Sequence, residues 1–235
     1  MSNILGWFYK FDSVRALKNL VRPFKHLLFG KSGVYKVIDD VARLEGGAGR
    51  VSVVFDVGAS VGEYALQFLR DFPSATVYCF EPVPESFDKL KERMRSYESR
   101  VRLFNVALSD RNGISELYVS PHRDGSSLVL KDFPGLKPMN VPVMRLDDFA
   151  AEHGIGKIDF IKIDVEGFEK EVIDGGQRVF RDAISNAFIE IQPEFKGYYS
   201  VDHVKVFELL HDYGFGFAGV FGDYFFSKLL PHKKL

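Results

Sequence analysis

The run Val53-Val54-Phe55-Asp56-Val57-Gly58-Ala59-Ser60-Val61-Gly62 carries an apolar stretch into a glycine-containing turn and then into a helical pattern. A strand that feeds such a turn is where an open α/β sheet holds its ligand. Gly58 and Gly62 let the backbone turn sharply and approach that ligand, while free N–H groups at the start of the helix suit an anionic group. Further on, Tyr78-Cys79-Phe80-Glu81-Pro82 ends a second apolar run on a carboxylate. A carboxylate there can accept both hydroxyls of a ribose, through charge-assisted bonds of roughly 1.5–3 kcal/mol each. A third run closes in Asn105-Val106-Ala107-Leu108-Ser109-Asp110, whose polar groups either reach the edge of a base or serve as turn residues.

The most unusual run is Ile161-Lys162-Ile163-Asp164-Val165-Glu166-Gly167, because a central parallel strand is ordinarily apolar on both faces. By the two-residue period Lys162 and Asp164 share a face, as do Glu190 and Gln192 in Ile189-Glu190-Ile191-Gln192. Buried charge is rare unless paired, so Lys162 is expected to meet Glu190, Asp164 or another acid. If the faces coincide they form a polar cluster, either catalytic or a structural ion pair. Asp164 and Glu166 stand at the strand end and in the turn leaving it, where open sheets bind ligands, and are the candidate catalytic acids. His122, in Pro121-His122-Arg123-Asp124-Gly125-Ser126-Ser127, titrates near neutrality without special tuning and is the alternative general base. The six histidines are scattered, and Asp164 with Glu190 supplies two oxygen ligands without a third, so no metal is expected.

The glycine spacing separates the nucleotides this turn could take. A dinucleotide site wants G-x-G-x-x-G, but from Gly58 the chain supplies Ser60 and Glu63, and a carboxylate sits badly beside a pyrophosphate. That spacing argues against an NAD-dependent oxidoreductase or epimerase. Asp56 fits the acidic start of the methyltransferase pattern acidic-x-Gly-x-Gly-x-Gly, with Ser60 replacing the middle glycine. On that reading the anionic group is the methionyl carboxylate of S-adenosylmethionine, and Glu81 grips the ribose. A noncatalytic binding protein on the same fold is the remaining alternative.

The elements that must position these residues are legible as alternating patterns. Strands are expected over Val51 to Val57, Thr76 to Glu81, Val101 to Ala107, Ile158 to Asp164 and Ala187 to Gln192. Helices are expected from about Gly62 to Asp71, Pro84 to Tyr97, Gly167 to Phe180 and Val201 to Asp212. Such alternation predicts a doubly wound α/β fold with a seven-stranded, mostly parallel sheet, closed by Gly216 to Val220 and Tyr224 to Lys228 as an edge hairpin. The long stretch from Ser109 to about Asp148 contains an alternating Ser115 to Val119 and a Gly/Pro/Ser-rich loop of a length that usually signals function.

Residues 1–45 read as a helical extension, and 46–235 as the catalytic domain after a joint at Gly46, Gly47 and Gly49. Up to Lys36 the extension holds Lys10, Arg15, Lys18, Arg22, Lys25 and Lys31 against Asp12, with Trp7, Phe8, Tyr9 and Phe11 nearby. It either lies on an anionic membrane surface or packs its apolar stripe on the core as a cap over the site. Ordinary shares of hydrophobic and charged residues, 46% and 27%, point to a globular chain. A net charge of -1 provides no field for nucleic acid. The single cysteine, Cys79, cannot form an intrachain disulfide, which suits a reducing cytoplasm. No apolar run approaches the roughly 20 residues of a membrane span, and no signal peptide opens the chain.

Taken in order, Asp56-Val57-Gly58-Ala59, Phe80-Glu81-Pro82, Ala107-Leu108-Ser109-Asp110, Gly125-Ser126-Ser127-Leu128, Arg145-Leu146-Asp147, Ile161 to Gly167 and Glu190 resemble the FkbM family of methyltransferases over about residues 50–195. The resemblance implies a class I methyltransferase fold and S-adenosylmethionine as donor. It also implies O-methylation of a small-molecule or glycan acceptor, on a hydroxyl of a sugar, glycan or polyketide-like product. It gives Ser126 and Ser127 a role at the cofactor or acceptor, beyond holding a turn. The basic extension and the Phe/Tyr-rich end, Tyr213 to Phe226, lie outside the shared segments and are candidates for choosing the substrate.

Overall fold

The computed structural model describes residues 33–119, 137–190, 203–220 and 224–229. Among these residues ten strands run in chain order as β1 (Val53–Val57), β2 (Thr76–Phe80), β3 (Val101–Phe104), β4 (Ala107–Ser109), β5 (Gly113–Val119), β6 (Lys137–Arg145), β7 (Ile158–Ile163), β8 (Ile184–Ile189), β9 (Gly216–Val220) and β10 (Tyr224–Ser227). The helices are α1 (Gly33–Leu44), α2 (Glu63–Asp71), α3 (Pro84–Met94), α4 (Leu146–Glu152), α5 (Glu169–Gly175), α6 (Gln177–Asp182) and α7 (His203–Asp212). Seven strands form one sheet in the order β3-β2-β1-β7-β8-β10-β9. The first five are mutually parallel, and β10 alone is reversed, running antiparallel to both β8 and β9, as the alternating pattern and the closing hairpin predict.

The sheet is covered on both faces because its strands are apolar on both. Phe55, Val57, Phe80, Ile161, Ile163 and Ile189 face α4 to α7, where Phe149 meets the Phe80 and Phe104 rings edge-on at 4.8 Å. Val54, Val77, Cys79, Phe160 and Phe188 face the other way, onto Phe68 and Leu69 of α2 and Leu90 and Met94 of α3. Val37, Ile38 and Val41 of α1 join that second layer, so the described end of the extension is packed on the core. A glutamate fastens it: Glu45 accepts the Asn186 amide at 2.8 Å and pairs with Lys157.

Two expected elements divide, and an expected loop holds a second sheet. The third strand breaks at Asn105, whose amide turns back to the carbonyls of Glu81 at 2.8 Å and Pro82 at 3.0 Å. The chain beyond it, β4, enters a separate three-stranded sheet of order β4-β6-β5. That sheet occupies much of the expected long loop. Its strand β6 was hidden by Pro138 and Pro142, which sit where, among the described residues, β6 has β5 alone as a neighbour, since β4 pairs only with Val143 to Arg145. The helix expected over Gly167 to Phe180 splits at Gly175 and Gly176 into α5 and α6. The Asp147 carboxylate closes the new end, accepting the N–H groups of Arg178 at 3.2 Å and Val179 at 2.9 Å.

Candidate active site

Strand order reverses between β1 and β7, one running on to β2 and β3 and the other to β8. Such a switch point opens a crevice at the carboxyl ends of the strands. The segments following β1, β2, β7 and β8 meet there. Beyond Val57, Gly58 adopts φ 76°, and the N–H groups of Gly58 and Ala59 both donate to the Phe80 carbonyl at 3.0 Å. A side chain on Gly58 would overlap the carbonyl oxygen of Asp164, which arrives from β7, so the two turns touch backbone to backbone. Gly62, at φ 85°, has a packing reason instead: a Cβ there would collide with Leu90 and Met94 of α3.

Glu81 is 6% exposed. Its carboxylate accepts the Ser60 N–H on one oxygen and the Val83 N–H on the other, both at 2.9 Å. Burial raises its pKa above the usual range, and the two N–H groups offset this only in part. Each oxygen keeps a further lone pair, the capacity that ribose hydroxyls require. Ser60 is held at φ 49°, a left-handed conformation rare for a residue with a side chain and characteristic of functional turns. The first intrahelical bond of α2 runs from Leu66 to Gly62 at 3.1 Å. The Glu63 and Tyr64 N–H groups precede it, at the positive end of the helix. A glycine turn running into a helix start, beside a nearly buried acid, suits the carboxylate and the ribose of S-adenosylmethionine respectively.

Beneath the turns lies a buried charge cluster. Register aligns Asp56 with Lys162 across β1 and β7. The Lys162 ammonium, 1% exposed, lies 3.4 Å from Asp56 Oδ1 and 3.3 Å from Asp164 Oδ2. It also donates to the Gly58 carbonyl at 2.9 Å and sits 5.1 Å over the Tyr64 ring. Burial alone would depress this lysine, but Asp164 and Asp56, with smaller contributions from Tyr64 and Glu190, hold its pKa above the ordinary value. Asp56 is fully buried and its pKa is raised by burial, with Lys162 the main opposing influence. Lys162 therefore joins the floor of the cluster to its rim: Asp56 lies below, the Gly58 turn and Asp164 above. Glu190 lies on the same face, two residues beyond Phe188, which pairs with Lys162, and its N–H donates to the Ile163 carbonyl at 2.9 Å.

The structure thus brings together Asp56, Gly58, Ala59, Ser60, Glu81, Lys162, Asp164 and Glu190, with Glu166 at φ 54° in the turn after Asp164. Pro82 continues from Glu81 into Val83, which packs with Ala107, Leu117, Val141 and Val143 of the small sheet. Asn105 spends its amide donors on the Glu81 and Pro82 carbonyls, bracing the turn that carries the acid. Ser109 lies fully buried in β4, its hydroxyl donated to Asp110, and the Asp110 carbonyl accepts Arg145 at 2.7 Å. These contacts tie both residues to the small sheet. His122, Ser126, Ser127 and Gln192 lie outside the described residues. Two buried acids escaped the sequence reading: Asp159, which accepts the Ser52 and Val53 N–H groups at the far end of β7, and, beside the site, Glu169, which accepts the Gly167 N–H at 3.0 Å and whose pKa burial raises to about 8. A glutamate in the first turn of a helix ordinarily reads as a solvated, dipole-favoured residue.

A family model described as the methyltransferase FkbM domain matches residues 56–217. The 2-O-methyltransferase NoeI of Sinorhizobium fredii is 36% identical over 141 residues, covering 53% of this chain and 57% of that protein. The 31-O-demethyl-FK506 methyltransferase FkbM of Streptomyces tacrolimicus is 30% identical over 152 residues, covering 52% of this chain and 58% of that protein. Thus the match spans somewhat over half the length of each relative. Among solved structures, a candidate rRNA-methylase of Clostridium thermocellum superposes with a TM-score of 0.51 at 9% identity, over 85% of this chain and 96% of that one. That likeness concerns the fold alone.

Proposed function

The chain belongs to the FkbM methyltransferase family, and on that premise we propose that it transfers the methyl group of S-adenosylmethionine to a hydroxyl of a sugar, glycan or related natural product. The observation that carries this reading is Glu81, a nearly buried carboxylate held by two backbone N–H groups at the end of β2, beside the glycine turn. S-adenosylmethionine supplies an already activated methyl group. The protein's own tasks are then to hold the donor, align the acceptor oxygen and receive its proton. Glu81 holds the ribose hydroxyls, and the Gly58–Ser60 turn with the first turn of α2 receives the methionyl carboxylate. Lys162 fixes the Gly58 carbonyl and Asp164 together, so the donor and acceptor halves share one anchor. Asp164 with Glu166 is the carboxylate pair placed to take the acceptor proton, and His122 is the alternative base. Ser126 and Ser127 complete the donor or acceptor contacts. The names of two relatives specify O-methylation, which supports a hydroxyl acceptor.

The test is calorimetric titration with S-adenosylhomocysteine and, separately, with NAD. Micromolar binding of the first alone is expected, and binding of NAD alone would overturn the reading. Among the described residues no helix is long and apolar enough to cross a membrane. Residues 1–36 carry the basic excess described above, and contact of that stretch with anionic lipid from the cytoplasmic side is part of the proposal. Sedimentation with phosphatidylserine vesicles, lost in a chain starting at Gly33, is the expected result. Equal sedimentation of both chains would leave the extension as a cap.

A further inference from the structure

The turn leaving β7 places two consecutive residues at positive φ, Glu166 at 54° and Gly167 at 97°. Gly167 adopts this freely. Glu166 does not, because its Cβ crowds the backbone in the left-handed region, so the conformation persists only where the surroundings impose it. A side chain three residues further on supplies the constraint. Glu169, the first residue of α5, is fully buried and turns its carboxyl back over the turn. Its Oε1 accepts the N–H of Gly167 at 3.0 Å and that of Val165 at 3.4 Å. These two N–H groups flank Glu166, so a single oxygen closes the turn on both sides of the strained residue.

We propose that Glu169 is the positioning residue of this site: it locks Glu166 in the left-handed conformation and thereby fixes Asp164 and Glu166 against the Gly58 turn. The proposal rests on the reading that those two acids face the bound donor and its acceptor. Two further observations support it. The Asp164 carbonyl abuts Gly58 so closely that the turn cannot drift without opening the wall shared by both halves of the site. The second oxygen of Glu169, Oε2, is buried without a hydrogen-bond partner among the described residues. A carboxyl facing away from water, with half its bonding capacity unused, costs stability, and here its bonded half goes entirely to the turn and its own helix start. Burial, aided by Asp164, raises the group's pKa to about 8, so near neutrality it is largely the uncharged acid. An amide reproduces that species in shape, with an acceptor oxygen in the same place.

Three variants separate positioning from simple stability. Glu169→Gln keeps the acceptor, Glu169→Asp shortens it by one methylene, and Glu169→Ala removes it. Residue-resolved amide hydrogen exchange is expected to accelerate by about 30-fold or more at Val165 and Gly167 in the Ala and Asp variants, with the Gln variant close to the parent. Amides of Ile161 to Ile163 in β7 should stay protected in all three. Unchanged exchange at Val165 and Gly167 in the Ala variant would overturn the proposal. So would equal acceleration through β7, or failure of the Gln variant to restore protection. In parallel, calorimetry with S-adenosylhomocysteine should show about tenfold weaker binding in the Ala variant and recovery in the Gln variant. Equal affinity in the Ala variant and the parent counts against positioning. Absence of S-adenosylhomocysteine binding by the parent protein defeats the donor reading instead, while the exchange data still decide whether Glu169 holds the turn.

Discussion

Lys162→Met keeps much of the volume of a side chain that is 1% exposed and deletes the one charge shared by Asp56 and Asp164. Asp56 then remains fully buried opposite an apolar side chain. Removing one partner of a buried ion pair costs about 3–5 kcal/mol, because the remaining charge is left uncompensated. The gross Coulomb attraction is not added to this, since in the intact pair it largely offsets the cost of burying the charges. In a chain of this length each kcal/mol moves Tm by about 2–4 °C, so the expected loss is about 6–20 °C.

The loss also has a pH sign. Burial already raises the Asp56 pKa against the pull of Lys162, and without the ammonium it rises further. An acid with a raised folded pKa binds a proton on folding. Its stability is therefore full below the unfolded value and is lost as pH climbs through the folded one. The destabilisation deepens with pH within that window, by up to about 1.4 kcal/mol per unit. Urea unfolding at about pH 5.5, 7 and 8.5, followed by circular dichroism, measures the magnitude and the sign together. Adding Asp56→Leu removes the stranded charge and should recover at least half of the lost stability, without restoring the grip on the Gly58 carbonyl. A single variant losing under about 1 kcal/mol, or a double variant whose losses simply add, would refute the role given to the buried ammonium.

Glu81→Ala removes the ribose acceptor and should weaken S-adenosylhomocysteine binding by about 100-fold or more, read by calorimetry; an unchanged Kd would remove Glu81 from the site. The same variant leaves the Ser60 and Val83 N–H groups without their carboxylate, so a loss of about 1–3 kcal/mol should appear in its urea midpoint. Glu169, with its pKa raised from 4.5 to about 8, makes the fold less stable as pH rises between those values. Glu169→Gln should flatten that decline in a Tm-against-pH series, and a slope identical to the parent's would contradict it. Asp147→Ala takes the cap from α6 and should cost about 0.5–2 kcal/mol while leaving donor affinity within twofold, as thermal melts and calorimetry would show.

Much of this protein was legible before any coordinate. The β1 turn, the acid closing β2 and the charged strand β7 each depend on residues close together in sequence, whose apolar period and glycine positions announce the local conformation. Such patterns say which face of an element is apolar. They do not say which strands align or how far a turn bends. The tertiary structure alone paired Lys162 with Asp56 from β1 as well as with Asp164, because only the β1–β7 register sets those charges side by side. It broke the third strand at Asn105 through bonds to a turn reached from another strand, and revealed β6 despite its prolines through its single-sided pairing. It also folded Glu169 back over Glu166. A helix-start glutamate faces water by local preference, and only the packing of α5 against its neighbours withdraws the carboxyl from solvent and directs it to the backbone of the turn. Periodicity is a property of one segment, whereas the partner of a buried charge is a property of two, and exists only once both are in place.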